Sequence, residues 1–284
     1  MGAEFDKFMR SYKELKGPES WQQISILGEA ALEQDGLEAR ERWQIYIILV
    51  SNYYYLSRYE DAAQAAASAL RIVDPKDNTA MAKNLYLASA AHRALCLHAT
   101  APVTKAQHAR LAIDYIERAL TLVAQVDAMT AGKVHFNAGA LQHDVLENFE
   151  EAASHYQKAI AFYQQVDAED DLQRTQIRYI RTFLDDNKPF AAQQEAAKIA
   201  IDPKTRTGVQ CLLLKAKIEL RLDRLVDAFR FANEGLVNAQ EKEMKFEADQ
   251  CAKLITQIKD VNPSIEQTAA RINPAGGSLT LGVG

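Results

Sequence analysis

The chain is poor in the residues that break, cross-link or specialise a fold. It has 12 glycines, 7 prolines and 3 cysteines in 284 residues. Cys96, Cys211 and Cys251 are far apart, odd in number and free of any CxxC spacing. That excludes a disulfide framework and points to a reducing, cytoplasmic compartment. Long apolar runs are missing too. The longest, Ile45 to Val50, is far short of a membrane span. No signal-peptide pattern opens the sequence. Asp6 stands where an N-myristoylation pattern wants Ser or Thr. A basic excess is absent: the net charge is −5 and the pI about 5.8, which argues against a general nucleic-acid binder. No sustained alternation of β-branched residues supports strands. GxSxG, HExxH and P-loop patterns are lacking, so the expectation is a protein without cofactor and without enzymatic activity.

What remains is helix. Charged residues make up 25% and hydrophobic ones 48%, an ordinary globular balance. Alanine, leucine, glutamine and glutamate, all strong helix formers, fill the stretches between breaks. Residues 4–16 read as one helix stopped by Gly17-Pro18, and residues 19–34 as its partner, stopped by Asp35-Gly36. Leu37 to Leu56 carries Trp43, Tyr46, Ile47, Leu49, Val50 and Tyr53 at spacings of three and four, one helical stripe. After the break at Ser57-Arg58, Tyr59 to Val73 reads as the next helix, closed by Pro75.

The pattern then repeats. Asn148-Phe149-Glu150-Glu151-Ala152 echoes Arg58-Tyr59-Glu60-Asp61-Ala62. Small residues return at Ala69, Ala119, Ala159, Ala200 and Gly235, each beside a larger apolar neighbour. Their spacing is that of helical-hairpin solenoids. The segment at 98–108, HATAPVTKAQH, reads as an inserted loop inside one unit. Within a hairpin, methyl-sized side chains on the second helix let the backbones approach, and rings on the first fill the groove left between them.

These residues resemble the tetratricopeptide repeat (TPR). The family's first-helix positions fall on Tyr46, Leu49, Val50 and Tyr53, and its second-helix positions on Tyr59, Ala62, Ala66, Ala69 and Pro75. In a later unit they fall on His135, Ala138, Gly139, Phe149, Ala152, Tyr156 and Ala159. Val50 departs from the small residue of the pattern. The resemblance covers about residues 4–258 and implies an all-α fold, a right-handed superhelical solenoid of antiparallel helix pairs. Five to six hairpins would be followed by a capping helix near 241–259, with Phe246, Cys251, Leu254, Ile255 and Ile258 on its apolar stripe. One repeat domain over 1–260 follows from it, and the prolines and glycines at Pro263, Pro274, Gly276, Gly277, Gly282 and Gly284 lead us to expect a flexible tail over 261–284.

In such a solenoid the first helix of each hairpin lines the concave groove. Projected that way, Tyr54 and Tyr55, then His92 and Arg93, then Lys133, Phe136 and His143, then Lys217 and Arg221 face inward. Arg174, Arg178 and Arg181 form a ladder at i, i+4, i+7, away from the stripe of Leu172, Ile177, Ile180, Phe183 and Leu184. Paired guanidinium donors suit carboxylates, so an acidic segment of another protein is the expected partner. The residue set with which some TPR domains clamp a chaperone's terminal carboxylate is not reproduced by Lys133 and Asn137. Asp170-Asp171 read as helix-start carboxylates, and Asp185-Asp186 as a solvated turn. His92 and Cys96, one turn apart, with His98 and His108 following, are the candidates for a metal. His143 with Glu147 has the same spacing. The resemblance thus implies an interaction scaffold or adaptor, a subunit of a larger complex, with no nucleic acid and no membrane insertion. A ligand-sensing helical domain and a metal protein using His92, Cys96 and His98 are the alternatives.

Overall fold

The structure, a computed structural model, describes residues 3–15 and 20–272. Every regular element among them is helical. The helices group into two compact units that divide between Glu169 and Asp170. The first holds α1 (Ala3–Glu14), α2 (Trp21–Leu32), α3 (Ala39–Tyr55), α4 (Tyr59–Ile72), α5 (Asn78–His98), α6 (Pro102–Leu120), a 3-10 turn (Val123–Gln125), α7 (Ala128–Asp144) and α8 (Phe149–Gln165). The second holds α9 (Glu169–Asp185), which starts at the boundary, α10 (Pro189–Ala196), α11 (Arg206–Arg221), α12 (Leu225–Glu241), α13 (Lys245–Val261) and α14 (Ile265–Ile272). None of these helices is long and apolar enough to cross a membrane.

One turn is used again and again. Ser57, Glu147, Asp167, Asn187, Asp223 and Glu243 all have positive φ, and each stands two residues before a helix begins. After five of them the next amide reaches back to a carbonyl five residues earlier: Arg58 to Tyr53, Ala168 to Tyr163, Lys188 to Phe183, Arg224 to Glu219 and Met244 to Ala239. That is a Schellman ending, with a left-handed residue turning the chain at once into the next helix. Glycine would favour this geometry, yet none of the six is glycine. Elsewhere side chains start the helices. Asp77, Asp127, Asn148 and Thr205 accept from the backbone N–H of Ala80, Thr130, Glu151 and Gly208.

The expected packing of methyls against bulk is present. Ala62, Ala66 and Ala69 on α4 are fully buried, as are Ala112 and Ala119 on α6, Ala152 and Ala159 on α8, and Ala228 and Ala232 on α12. Ile45, Leu49, Val50 and Tyr53 of α3 share one core with Ala62, Ala65 and Ala66 of α4 and with Ala88 and Ala91 of α5. The opposite face of α5, through Leu85 and Tyr86, joins α6 and α7. In the α7–α8 hairpin the bulk is on the second helix. A Cβ on Gly132 would stand 2.6 Å from the Tyr163 ring, and one on Gly139 2.9 Å from Tyr156. Val50, where the TPR pattern has a small residue, is accommodated in the core at 1% exposure.

Four expectations need correction. Residues 102–108 are helical: Pro102 occupies the first turn of α6, where its missing N–H costs nothing. The insertion therefore lengthens α5 and α6, and the connection is only residues 99–101. The repeat placed at Ala200 shifts. α10 stops at Ala196, Ala192 and Ala196 are buried, and Ala197 and Ala200 are exposed. The chain after α10 lies against α11, where a Cβ on Gly208 would come within 1.9 Å of the Asp202 carbonyl oxygen. Phe246 is 69% exposed, because the buried stripe of α13 is Glu247, Cys251, Leu254, Ile255 and Ile258. Finally, residues 265–272, assigned to a flexible tail, form α14. Its Ile265 is fully buried with Leu254, Ile255 and Ile258, and Lys259 pairs with Glu266 at 2.6 Å. The rest of the expected tail, residues 273–284, and the Gly17-Pro18 break lie outside the described residues.

Candidate functional site

The twelve projected groove residues divide between the units. Tyr54, Tyr55, His92, Arg93, Lys133, Phe136 and His143 belong to the first, and Arg174, Arg178, Arg181, Lys217 and Arg221 to the second.

In the first unit the end of α3 anchors the site. Tyr53 turns inward, donates its hydroxyl to Glu29 at 2.6 Å and lies under Arg58, whose guanidinium carbon is 4.4 Å from the ring centre. Burial first, then the Glu29 hydrogen bond, push its phenol well above the usual range. Tyr54 and Tyr55 follow on the next faces of the helix. Tyr55 is 52% exposed and stacks on Trp21 of α2, centroids 4.5 Å apart. Tyr54 meets Tyr55 edge-on at 6.2 Å and Tyr59, the first residue of α4, at 5.6 Å. Tyr59 in turn stacks on His98, the last residue of α5, at 5.0 Å. The result is a continuous row, Trp21–Tyr55–Tyr54–Tyr59–His98, along the edge where the ends of α3 and α5 meet the starts of α2 and α4.

Arg93 fastens that row to α7. Its Nη2 donates to the Tyr54 hydroxyl at 3.0 Å and its Nη1 pairs with Asp144 at 2.5 Å. The two charged side chains are only 11% and 17% exposed. Three successive first helices, α3, α5 and α7, are thereby joined through one Tyr–Arg–Asp chain. Arginine serves here because its planar fork gives two partners at once.

Other projected residues turn into their own hairpins. His92 on α5 meets His108 on α6 with Nδ1 atoms 3.1 Å apart. His135 on α7 meets His155 on α8 in the same way at 3.0 Å, and His155 also reaches Glu151 at 3.3 Å. Ring centroids are 5.3 Å apart in both pairs. The excess over the nitrogen separations is about two nitrogen-to-centroid radii, so the nitrogens lie head to head between the rings. This is the geometry of one N–H donating to one lone pair, whereas a shared metal needs lone pairs that converge at an angle. Burial first, and the partner imidazole second, push His92 and His135 down to about 4. His155 is also lowered by burial, against the opposing pull of Glu151. Phe136 rests at 5.9 Å from Tyr156, His143 meets Phe149 edge-on, and Lys133 lies 5.9 Å from the centre of the Tyr163 ring.

The metal candidates do not assemble. His92 is engaged with His108, His98 with Tyr59, and Cys96 is fully buried. No cluster of three or more His, Cys, Asp or Glu side chains suited to a metal occurs among the described residues. Burial raises all three thiols, Cys251 to about 11 with help from Glu247, so they are protonated at neutral pH.

In the second unit Arg174 and Arg181 are exposed on α9, and each pairs within its own helix, with Asp171 at 2.5 Å and Asp185 at 3.2 Å. Asp186 pairs with Lys188 at 2.6 Å, which accounts for the Asp185-Asp186 doublet. Arg178 is half-buried, and Lys217 and Arg221 are exposed on α11.

Sequence reasoning missed Trp21 and Tyr59 as members of the site, took His98 only for a metal candidate, and placed Asp144 near the groove rim without its partner. Trp21 and Tyr59 open their helices, and the rule that a helix start meets the end of its antiparallel neighbour could have found them. The Arg93–Asp144 pair spans 51 residues and has no local signature.

No protein-family model matches the chain, and no curated protein matches it in sequence. Solved structures do. TTC0263, a thermophilic TPR protein of Thermus thermophilus, is 13% identical with a TM-score of 0.54, covering 77% of this chain and 97% of that one. The apo form of RapI is 13% identical with a TM-score of 0.57, covering 90% of this chain and 96% of that one. At that identity they speak to the fold, which is a TPR-like helical repeat.

Proposed function

We propose that the chain is a non-enzymatic interaction scaffold that holds a segment of another protein against the first helices of its hairpins. The observation that carries this reading is the aromatic row, exposed at Tyr55 and His98 and half-buried at Trp21, Tyr54 and Tyr59, which is tied at its centre by the Tyr54–Arg93–Asp144 chain. Rings and arginines fixed before binding lose little entropy on contact and dominate interaction hot spots. The Arg174, Arg178 and Arg181 ladder is the natural second contact. Its exposed pairs with Asp171 and Asp185 are of the kind worth little in water, so an acidic stretch of the partner can displace them.

The test is affinity purification from the native cell followed by mass spectrometry. The expected result is a partner set that shrinks for Tyr54→Ala with Tyr55→Ala, and again for Arg174→Glu with Arg178→Glu. A partner set unchanged by both double variants would remove the first-helix assignment.

A further inference from the structure

The edge that carries the aromatic row also carries uncompensated negative charge. Glu60 directly follows Tyr59, and Glu147 and Glu150 flank the turn after Asp144. All three are exposed, and none has an ion-pair partner among the described residues. The two arginines at this edge are already committed, Arg58 to Asp61 and Glu29, and Arg93 to Asp144. Acid at the start of α4 and α8 serves the helix dipole. Glu60 thus adjoins the row through Tyr59, both arginines beside the row are bound elsewhere, and Lys105, close enough to act on Cys96, is a cation near the His98 end only.

From this juxtaposition we infer that the row Trp21–Tyr55–Tyr54–Tyr59–His98 is the docking surface for a basic, extended segment of a partner protein, bearing Lys or Arg at alternate positions. The inference rests on the scaffold reading and differs from it in the sign of the partner's charge at this unit. Cations are attracted to aromatic faces, and the protein already shows the arrangement in Arg58 over Tyr53 at 4.4 Å. The geometry bounds the length of the segment. Successive rings step by 4.5, 6.2, 5.6 and 5.0 Å between centroids. An extended chain advances about 3.3 Å per residue and shows every second side chain to one face. A segment of at most about six residues therefore spans the row, with its cations set toward the exposed Tyr55 ring and Glu60.

The experiment uses the full chain with Trp43→Phe, so that emission reports Trp21 alone, and two synthetic probes, an Arg-Gly-Arg-Gly-Arg-Gly peptide and its Glu-Gly counterpart. The arginine probe should change Trp21 emission saturably, and the glutamate probe should not. Tyr55→Ala and Glu60→Lys, both exposed positions, should each weaken the arginine probe at least about tenfold, while the helical circular dichroism spectrum is kept and the melt falls only slightly through the lost Trp21 stacking or helix-dipole carboxylate. Arginine binding indifferent to Tyr55→Ala would be general attraction to an acidic protein and would overturn the inference. So would equal binding of the glutamate probe, or no binding of either. The scaffold reading fails separately, if purification recovers no partner sensitive to any first-helix variant. Partners lost with Arg174→Glu and Arg178→Glu but kept with Tyr55→Ala would sink the basic-segment inference and leave the scaffold standing.

Discussion

Acid should weaken the first unit through its buried imidazole pairs, and His135 with His155 is the cleanest case. The two residues are 8% and 7% exposed, and they touch through Nδ1. Lys158 adds a second cation nearby, while Glu151 faces His155 only. His135 is held down to about 4 in the folded protein, against 6.5 when free. The sign follows from linkage. Below 6.5 the unfolded chain takes up a proton that the folded chain refuses until about 4, so stability present above 6.5 is lost as pH falls toward 4. One pKa unit is worth about 1.4 kcal/mol, so the full window holds at most about 3 kcal/mol, and the part between pH 6.5 and 5 about 2 kcal/mol. Relaxation of the pair would trim this to about 1–2 kcal/mol. Both tryptophans, Trp21 and Trp43, lie in the first unit, so urea unfolding followed by tryptophan emission reads that unit. Between pH 7 and 5 the wild type should lose about 1–2 kcal/mol more than His135→Gln, because the variant lacks the titrating ring. Carboxylate protonation is common to both and cancels. Equal losses in the two proteins would refute the reasoning.

Other perturbations follow from the same packing. Gly139→Ala places a methyl 2.9 Å from the fully buried Tyr156 ring, and should lower first-unit stability by about 1–3 kcal/mol in the same urea assay. Arg93→Met leaves Asp144 and the Tyr54 hydroxyl without their arginine. The pair is nearly buried, so a loss of about 2–3 kcal/mol is expected, smaller in the double variant with Asp144→Leu. Glu147 has a φ of 51°, so Glu147→Gly should raise the melting temperature, with a gain of up to about 1 kcal/mol. Asn187→Gly, at a φ of 55°, should gain less, because asparagine tolerates that conformation better.

The fold is legible where side-chain size recurs at regular intervals. Ala62, Ala66 and Ala69, or Ala152 and Ala159, read as second-helix positions because nothing larger fits there, and they are buried as expected. The turns are harder. Ser57, Glu147, Asp223 and Glu243 adopt left-handed backbone without glycine, held by backbone hydrogen bonds that no residue type announces. Pro102 looks like a loop marker and is a helix start, since proline fits either role. The glycine-rich residues near the chain's end make their neighbours read as tail and hide α14, although Ile265 completes a core. At the site, Tyr54, Tyr55 and Arg93 come from helical projection alone. Their partners do not: Trp21–Tyr55 and Arg93–Asp144 join different hairpins, and only packing brings them together. The histidines mislead for the same reason, since His92 pairs across its hairpin with His108 and not along its helix with Cys96.

The decisive question is which helix face receives a partner. A photo-crosslinking amino acid placed at Tyr55 on α3, and separately at Gln64 on the exposed side of α4, tests this in the native cell. Illumination should yield a protein adduct from position 55 and none from position 64. An adduct from position 64 alone, or equal capture from both, would contradict a partner held against the first helices.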